Sequence, residues 1–277
     1  MTKTFIAACI QMNSEREMAP NLSVASDLVR AARKAGADFI LLPENVAMME
    51  PQRRNVLAKA KPEAEHPALA HFCSLASETK AWLVVGSLAI RLNETCVANR
   101  SFLLDDAGGI VARYDKIHMF DVDLEGDKSY KESKTYRAGE AAVLAVSPWG
   151  PVGLTVCYDL RFPALYRALA KAGAHYLTVP SAFTRKTGEA HWHVLLRARA
   201  IETGAFVFAP AQCGTHAGNR QTFGHSLIVD PWGEVLADGG EKVGFVLAEI
   251  APGKVEAARR QIPALAHDRA FTLKALP

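Results

Sequence analysis

No Cys-x-x-Cys pair occurs in the 277 residues, and the five cysteines, Cys9, Cys73, Cys96, Cys157 and Cys213, are odd in number and widely scattered. That pattern excludes a disulfide framework and fits a reducing, cytoplasmic compartment. No apolar run reaches the roughly 18 residues that a membrane span requires. No small-residue cleavage pattern follows the first apolar stretch, Phe5-Ile6-Ala7-Ala8-Cys9-Ile10, so a soluble protein is expected. Basic and acidic residues nearly balance, 32 against 29, with no basic block or stripe, and nucleic acid is not an expected partner. A Pro/Ser-rich linker is also missing. The chain therefore reads as one domain, 1–277, long enough to bury a sizeable core without staples.

What is present is an alternation. Short apolar runs at residues 5–12, 38–43 and 82–88 predict strands, and amphipathic stretches at 21–34 and 69–79 predict helices. Residues 99–105 and 110–115 predict a hairpin about Asp106-Ala107-Gly108-Gly109. This is an α/β pattern. It also repeats: residues 35–43 resemble 172–180, residues 78–85 resemble 202–209, and the hairpin 101–113 has a counterpart in 226–238. Three matches in one order predict an internal duplication, with chance similarity of α/β segments as the alternative. Two such halves, each a sheet with helices outside, pack face to face as a four-layer αββα sandwich.

Three positions invite chemistry. Cys157 follows an apolar run at 152–156 and precedes Pro163, which opens an amphipathic helix through residue 172. In such a strand-to-helix turn a thiolate could be stabilised by the helix's positive end and by nearby cations, and the N–H of Tyr158 could donate to an oxyanion. Position alone equally allows a small buried hydrophobe. Cys9, Cys73 and Cys96 lack the Asp-x-Arg-Phe-Pro continuation and read as core. Glu44 stands at the C-terminal edge of the strand 38–43, where partial burial would raise its pKa toward neutrality. A helix cap or surface ion pair is the other reading. Lys116 ends a hairpin strand and, taken singly, is one lysine among many.

Together these residues carry a resemblance. Pro43-Glu44-Asn45, Asp115-Lys116-Ile117-His118 and Val156-Cys157-Tyr158-Asp159-Leu160-Arg161-Phe162-Pro163 resemble, in order and separation, the three catalytic motifs of the nitrilase (carbon–nitrogen hydrolase) superfamily. The likeness continues through Pro180-Ser181-Ala182-Phe183, Ala190-His191-Trp192 and Gly224-His225-Ser226 to Asp230-Pro231-Trp232-Gly233, nearly the whole chain. It implies the αββα fold, assembly into dimers or larger oligomers, and a triad of Glu44, Lys116 and Cys157. A supporting glutamate lies between the lysine and cysteine motifs in that family, and Glu132 matches its position. Within the superfamily the chain is most similar to the Nit subgroup. That implies hydrolysis of deaminated glutathione, a 2-oxo acid made by mistaken transamination, with the omega-amidase reaction on 2-oxoglutaramate as the alternative. By the same resemblance Phe183 and Thr187 match positions near the substrate, although Phe183 could be core and Thr187 an ordinary loop residue. The loop 215–221 has no match.

The implied reaction needs neither metal nor organic cofactor. Glu44 accepts the Cys157 proton as sulfur attacks the amide carbonyl, Lys116 and the Tyr158 N–H stabilise the oxyanion, and water hydrolyses the resulting thioester. Arg161, four residues past the nucleophile, suits a substrate carboxylate and so favours acidic amides over neutral nitriles. An ion pair with Asp159 is its structural alternative. Three competitors stand beside this reading. One is a metal site from His191, His193, Cys213 and His216, whose spacing fits no common zinc pattern. Another is a Cys–His hydrolase, which needs a histidine base. The third is a scaffold or binding protein that keeps the fold without catalysis.

Overall fold

The computed structural model describes residues 3–124 and 129–275. Its frame is two sheets. The first runs in the order Gly244–Ile250, Phe5–Gln11, Phe39–Leu41, Trp82–Arg91, Val97–Leu104 and Ile110–Asp115, with Tyr136–Arg137 beside Val97–Leu104. The second runs Val143–Ser147, Gly150–Leu154, Tyr176–Thr178, Phe206–Ala209, Leu227–Val229 and Val235–Asp238. In each order the second, third and fourth strands are mutually parallel, and every other neighbouring pair along it is antiparallel. One topology is thus built twice, and the segments that resemble each other in sequence occupy equivalent places in it.

Side-chain alternation sets the layers. In Phe5–Gln11, Phe5, Ala7 and Cys9 join a core shared with the second sheet, whereas Ala8 and Ile10 pack with Ala25, Val29 and Ala32 of the helix Met18–Lys34. Phe39 meets Phe208 edge to face at 5.9 Å, and Phe5 meets Tyr176 at 5.5 Å, so aromatic rings join the two sheets. The helix Pro67–Thr79 completes the outer layer of the first sheet. Pro163–Lys171 and Arg185–Thr203 cover the second, through Leu165, Leu169, Trp192 and Leu196. The result is the αββα order.

Boundaries shift where local chemistry permits. The first helix begins at Met18 rather than 21, because Pro20 falls in the first turn, where its missing N–H costs little. Asn21, now inside that turn, ties the helix to Glu15 and to the Ala47 carbonyl. Cys9 is fully buried, as expected of core, but Cys73 and Cys96 are only half-buried.

One glycine positions the site. The chain leaving Phe39–Leu41 runs on beside Trp82–Arg91, with the Leu42 N–H donating to the Val84 carbonyl at 2.9 Å. Gly86 lies under this extension. A Cβ there would stand 2.1 Å from the Leu42 carbonyl oxygen and 2.3 Å from that of Pro43. Gly86→Ala must therefore push the backbone just before Glu44. Urea unfolding should show a loss of about 1–3 kcal/mol, and Cys157 alkylation should slow. Unchanged stability and reactivity would mean that this close approach places nothing.

Candidate active site

Cys157 itself and Asn45, the residue after Glu44, occupy strained backbone just past strand ends. Cys157 has φ 48° and begins the short 3-10 turn Cys157–Arg161, and Asn45, next to Glu44, has φ 57°. Such angles persist in residues other than glycine only where surroundings enforce them. At Cys157 the enforcement is visible. Its N–H donates to the Pro180 carbonyl at 3.0 Å. The buried Asp159 carboxylate accepts from the Val156 N–H, the Tyr114 hydroxyl and both the backbone and ring of His118, at 2.7–3.0 Å. Asp159 therefore binds the turn to the segment carrying Lys116. It does not pair with Arg161.

Glu44 is 2% exposed and Lys116 1%. Burial on that scale requires partners. Glu44 Oε1 accepts from Lys116 Nζ at 2.9 Å and from Asn99 Nδ2 at 3.0 Å, while Oε2 accepts from the Ala182 N–H at 2.9 Å. Lys116 Nζ also donates to both oxygens of Glu132, at 3.0 and 2.8 Å. Glu132 in turn accepts from the Phe120 N–H at 2.7 Å and from Asn99 at 3.2 Å. Asn99 thus bridges the two carboxylates. The sequence offered no signal for it, since an asparagine within a strand pattern marks nothing by itself.

The electrostatics differ from expectation in two ways. Burial raises the pKa of Glu44, as anticipated, but Lys116, the Cys157 thiol and Arg220 more than offset it, and the carboxyl lies below its ordinary value. For Cys157 the expected stabilised thiolate is absent. Burial and then the Glu44 charge push the thiol well above its usual range, outweighing Lys116 and the Ala182 N–H. Lys116 loses by burial but gains more from Glu132, Glu44 and Cys157, and it stays an ammonium. The resting arrangement is thiol, carboxylate and ammonium, with the thiol hydrogen-bonded to Glu44. Among the described residues, the group paired with the thiol is a carboxylate and not an imidazole.

These groups open into a cavity of about 280 Å³ whose wall includes Tyr158, Phe183 and Thr187. Thr187 is hydrogen-bonded to the Thr184 hydroxyl at 2.8 Å. Arg161 is not on this wall. Its guanidinium lies over the rings of Tyr158 and Phe183, at 5.8 and 5.4 Å, and beside His191 Nδ1 at 3.3 Å. It packs against two residues of the aromatic wall. The cation that does line the cavity from the second half is Arg220. It lies in the stretch 215–221 that matched nothing in sequence, and only the hairpin formed by Cys213–His216 and Arg220–Phe223 brings it here.

The four residues weighed for the competing metal reading do not form one cluster among the described residues. His216 is spent on the Ser14 carbonyl and the Thr222 hydroxyl, and His191 faces Arg161. Among the described residues His193, His225 and Asp238 come together instead, away from the cavity wall and already hydrogen-bonded at 2.9–3.0 Å.

Comparison with known proteins agrees with this geometry. The family model described as carbon–nitrogen hydrolase matches residues 6–260. A deaminated glutathione amidase of Synechocystis is 40% identical, over 96% of this chain and 98% of its own. The human deaminated glutathione amidase is 40% identical over 95% of this chain and 82% of its own. Among solved structures, the NitFhit protein of C. elegans superposes with a TM-score of 0.89 at 34% identity, covering 97% of this chain and 66% of that longer one. Yeast Nit3, described as a member of the nitrilase superfamily, gives 0.85 at 26% identity, over 94% and 95% of the two chains.

The charge arrangement fixes a pH dependence. A depressed Glu44 stays ionised until pH falls below the ordinary carboxylate range, so Cys157 alkylation by acrylamide should keep its rate down to that range and then decline. Lys116→Met removes the strongest lowering influence and leaves burial unopposed by it, and the acid limb should move to higher pH. A limb that stays in place in the variant would belong to a different group.

Proposed function

The chain belongs to the carbon–nitrogen hydrolase family and hydrolyses amide C–N bonds, and from that premise we propose that its substrate is a small acidic 2-oxo amide, deaminated glutathione, cleaved through a thioester on Cys157. The observation that carries the reading is the buried cluster itself: a thiol, a carboxylate and an ammonium within one cavity, all otherwise costly to bury. The choice of substrate is supported by relatives named deaminated glutathione amidase at 40% identity over nearly the whole chain. A metabolite-repair role follows from that substrate.

The reaction proceeds in two halves. Glu44 takes the thiol proton as sulfur bonds to the amide carbon, and the carbonyl π electrons move onto oxygen. Lys116 and the Tyr158 N–H, in the first turn of the 3-10 segment where such groups lack helical partners, stabilise that oxyanion. Glu44 then gives its proton to the departing nitrogen, the C–N bond breaks and a thioester remains. Water, deprotonated by Glu44, attacks the thioester; the acid leaves and the sulfur regains a proton. Glu132 acts by holding Lys116 with both oxygens. Because the thiol resists ionisation, proton transfer is driven by bond formation to the substrate rather than preceding it.

Omega-amidase activity on 2-oxoglutaramate is the second reading, since the two substrates share their acyl half. Cytoplasmic location is supported by five free cysteines. Among the described residues, no helix is long and apolar enough to cross a membrane. Self-association as a homodimer or larger is supported by Val194 and Ile201, apolar and exposed on the helix Arg185–Thr203.

The test is 2-oxoglutarate release from deaminated glutathione and from 2-oxoglutaramate. Faster turnover of the first, lost in Cys157→Ala, is expected. Glu44→Gln should lower thioester formation by roughly 10²–10⁴-fold. Preference for 2-oxoglutaramate would make the enzyme an omega-amidase, and an undiminished acylation rate in Glu44→Gln would remove it as the base.

A further inference from the structure

We propose that His193, His225 and Asp238 form a zinc-binding site where the helix Arg185–Thr203 meets Val235–Asp238, the end strand of the second sheet. The inference does not depend on which amide the enzyme cleaves.

Three separate elements bring the ligands together. His193 stands on the helix, His225 precedes the strand Leu227–Val229, and Asp238 closes the strand Val235–Asp238. Their ligand atoms all lie within 4.8 Å of one another. His193 Nε2 is 3.0 Å from Asp238 Oδ2, and His225 Nδ1 is 3.1 Å from the same oxygen and 2.9 Å from Oδ1. Zinc bonds of about 2.1 Å at tetrahedral angles set neighbouring ligands about 3.4 Å apart. A small side-chain adjustment separates the hydrogen-bonded cluster from that geometry. The side chains of His193, His225 and Asp238 are 37%, 22% and 35% exposed, so an ion has a path in and water can complete its coordination.

The cluster is also held in place before any ion arrives. His225 has φ 53°, a left-handed angle that a residue other than glycine keeps only under constraint. Its N–H donates to the Gly240 carbonyl at 2.6 Å, and its own carbonyl accepts from the Trp192 indole N–H at 2.7 Å. Its ring stacks on Phe223 at 4.4 Å, and the His193 ring meets the same phenyl edge-on at 6.0 Å. Phe223 is itself wedged against the helix, because a Cβ on Gly188 would stand 2.3 Å from the Phe223 Cβ. Asp238 Oδ1 accepts from the Gly240 N–H at 2.9 Å, which orients the carboxylate and leaves Oδ2 as the ligand atom.

The donor set selects the metal. Two imidazole nitrogens and one carboxylate oxygen suit zinc, whereas calcium and magnesium prefer oxygen alone. With both rings neutral, N–H protons occupy the space between nitrogen and carboxylate. When zinc takes that space, each proton moves to the other nitrogen of its ring. The ion then fastens the helix to the end strand of the sheet. None of the three residues is on the wall of the catalytic cavity, so the ion acts on stability rather than on the thioester chemistry.

Calorimetric titration of chelator-treated Cys157→Ala with zinc chloride tests this, since that background removes the active-site thiol as a competing ligand. One zinc per chain is expected, with a rise in Tm when zinc is added. Adding His193→Gln or Asp238→Asn should each weaken zinc binding by roughly 100-fold or more, beyond what the outer partners of a ligand contribute, and should cancel the rise in Tm. Unchanged far-UV circular dichroism checks the fold of both variants. His193, on the helix surface, carries the test if Asp238→Asn does not fold. No zinc bound, or zinc bound equally well after His193→Gln, would overturn the assignment.

Discussion

An ammonium taken out of water is tolerable only when opposite charge surrounds it, and Lys116 depends on two carboxylates for that. Neither can be released singly. Glu44 without Lys116 is a buried anion held only by the neutral donors Asn99 and Ala182, and Lys116 without Glu132 loses two of its three charged hydrogen bonds. The arrangement also joins the two halves of the molecule. One oxygen of Glu44 is satisfied from the first half by Lys116 and Asn99, and the other from the second half by Ala182. The Glu44 carbonyl is held by Gln212, again from the second half. The sheets must meet in one register for this carboxylate to be fully bonded, so the electrostatics of the site and the packing of the sandwich constrain each other.

The site's resting state follows from that constraint. Glu44 is kept ionised by its cationic neighbours and the proton is kept on sulfur by burial and by Glu44. In the proposed reaction, transfer between them is uphill until a carbonyl accepts the sulfur and an oxyanion forms next to Lys116. On that mechanism, reactivity is conditional on a substrate that fills the cavity.

Much of this was legible in the chain. The repeated segment 35–43 and 172–180 announced a duplicated sheet, because a strand buried on both faces leaves an apolar run bounded by helix-ending glycine and by proline. Glu44 and Cys157 each kept an ordinary structural reading taken singly, and stood out only with Lys116 in the order and separation of the three motifs. Asn99, Arg220 and the stacking of Arg161 on Tyr158 and Phe183 were hidden for one reason. Their roles arise from contacts between residues far apart in sequence, and nothing in their immediate neighbours differs from an ordinary strand, hairpin or turn. The direction of the pKa shifts was hidden likewise, because burial and a nearby cation act oppositely on a carboxyl, and only distances decide between them.

The protonated state of Cys157 has a consequence outside the reaction cycle. Peroxide and other oxidants consume thiolates in proportion to their abundance and exposure. Cys157 is 6% exposed and holds its proton tightly, and burial raises Cys9, Cys73 and Cys213 in the same direction. A nucleophile that ionises only during attack spends almost none of its lifetime in the form that becomes a sulfenic acid. On the proposed mechanism, the burial and the Glu44 charge that keep the proton on sulfur also slow its oxidation.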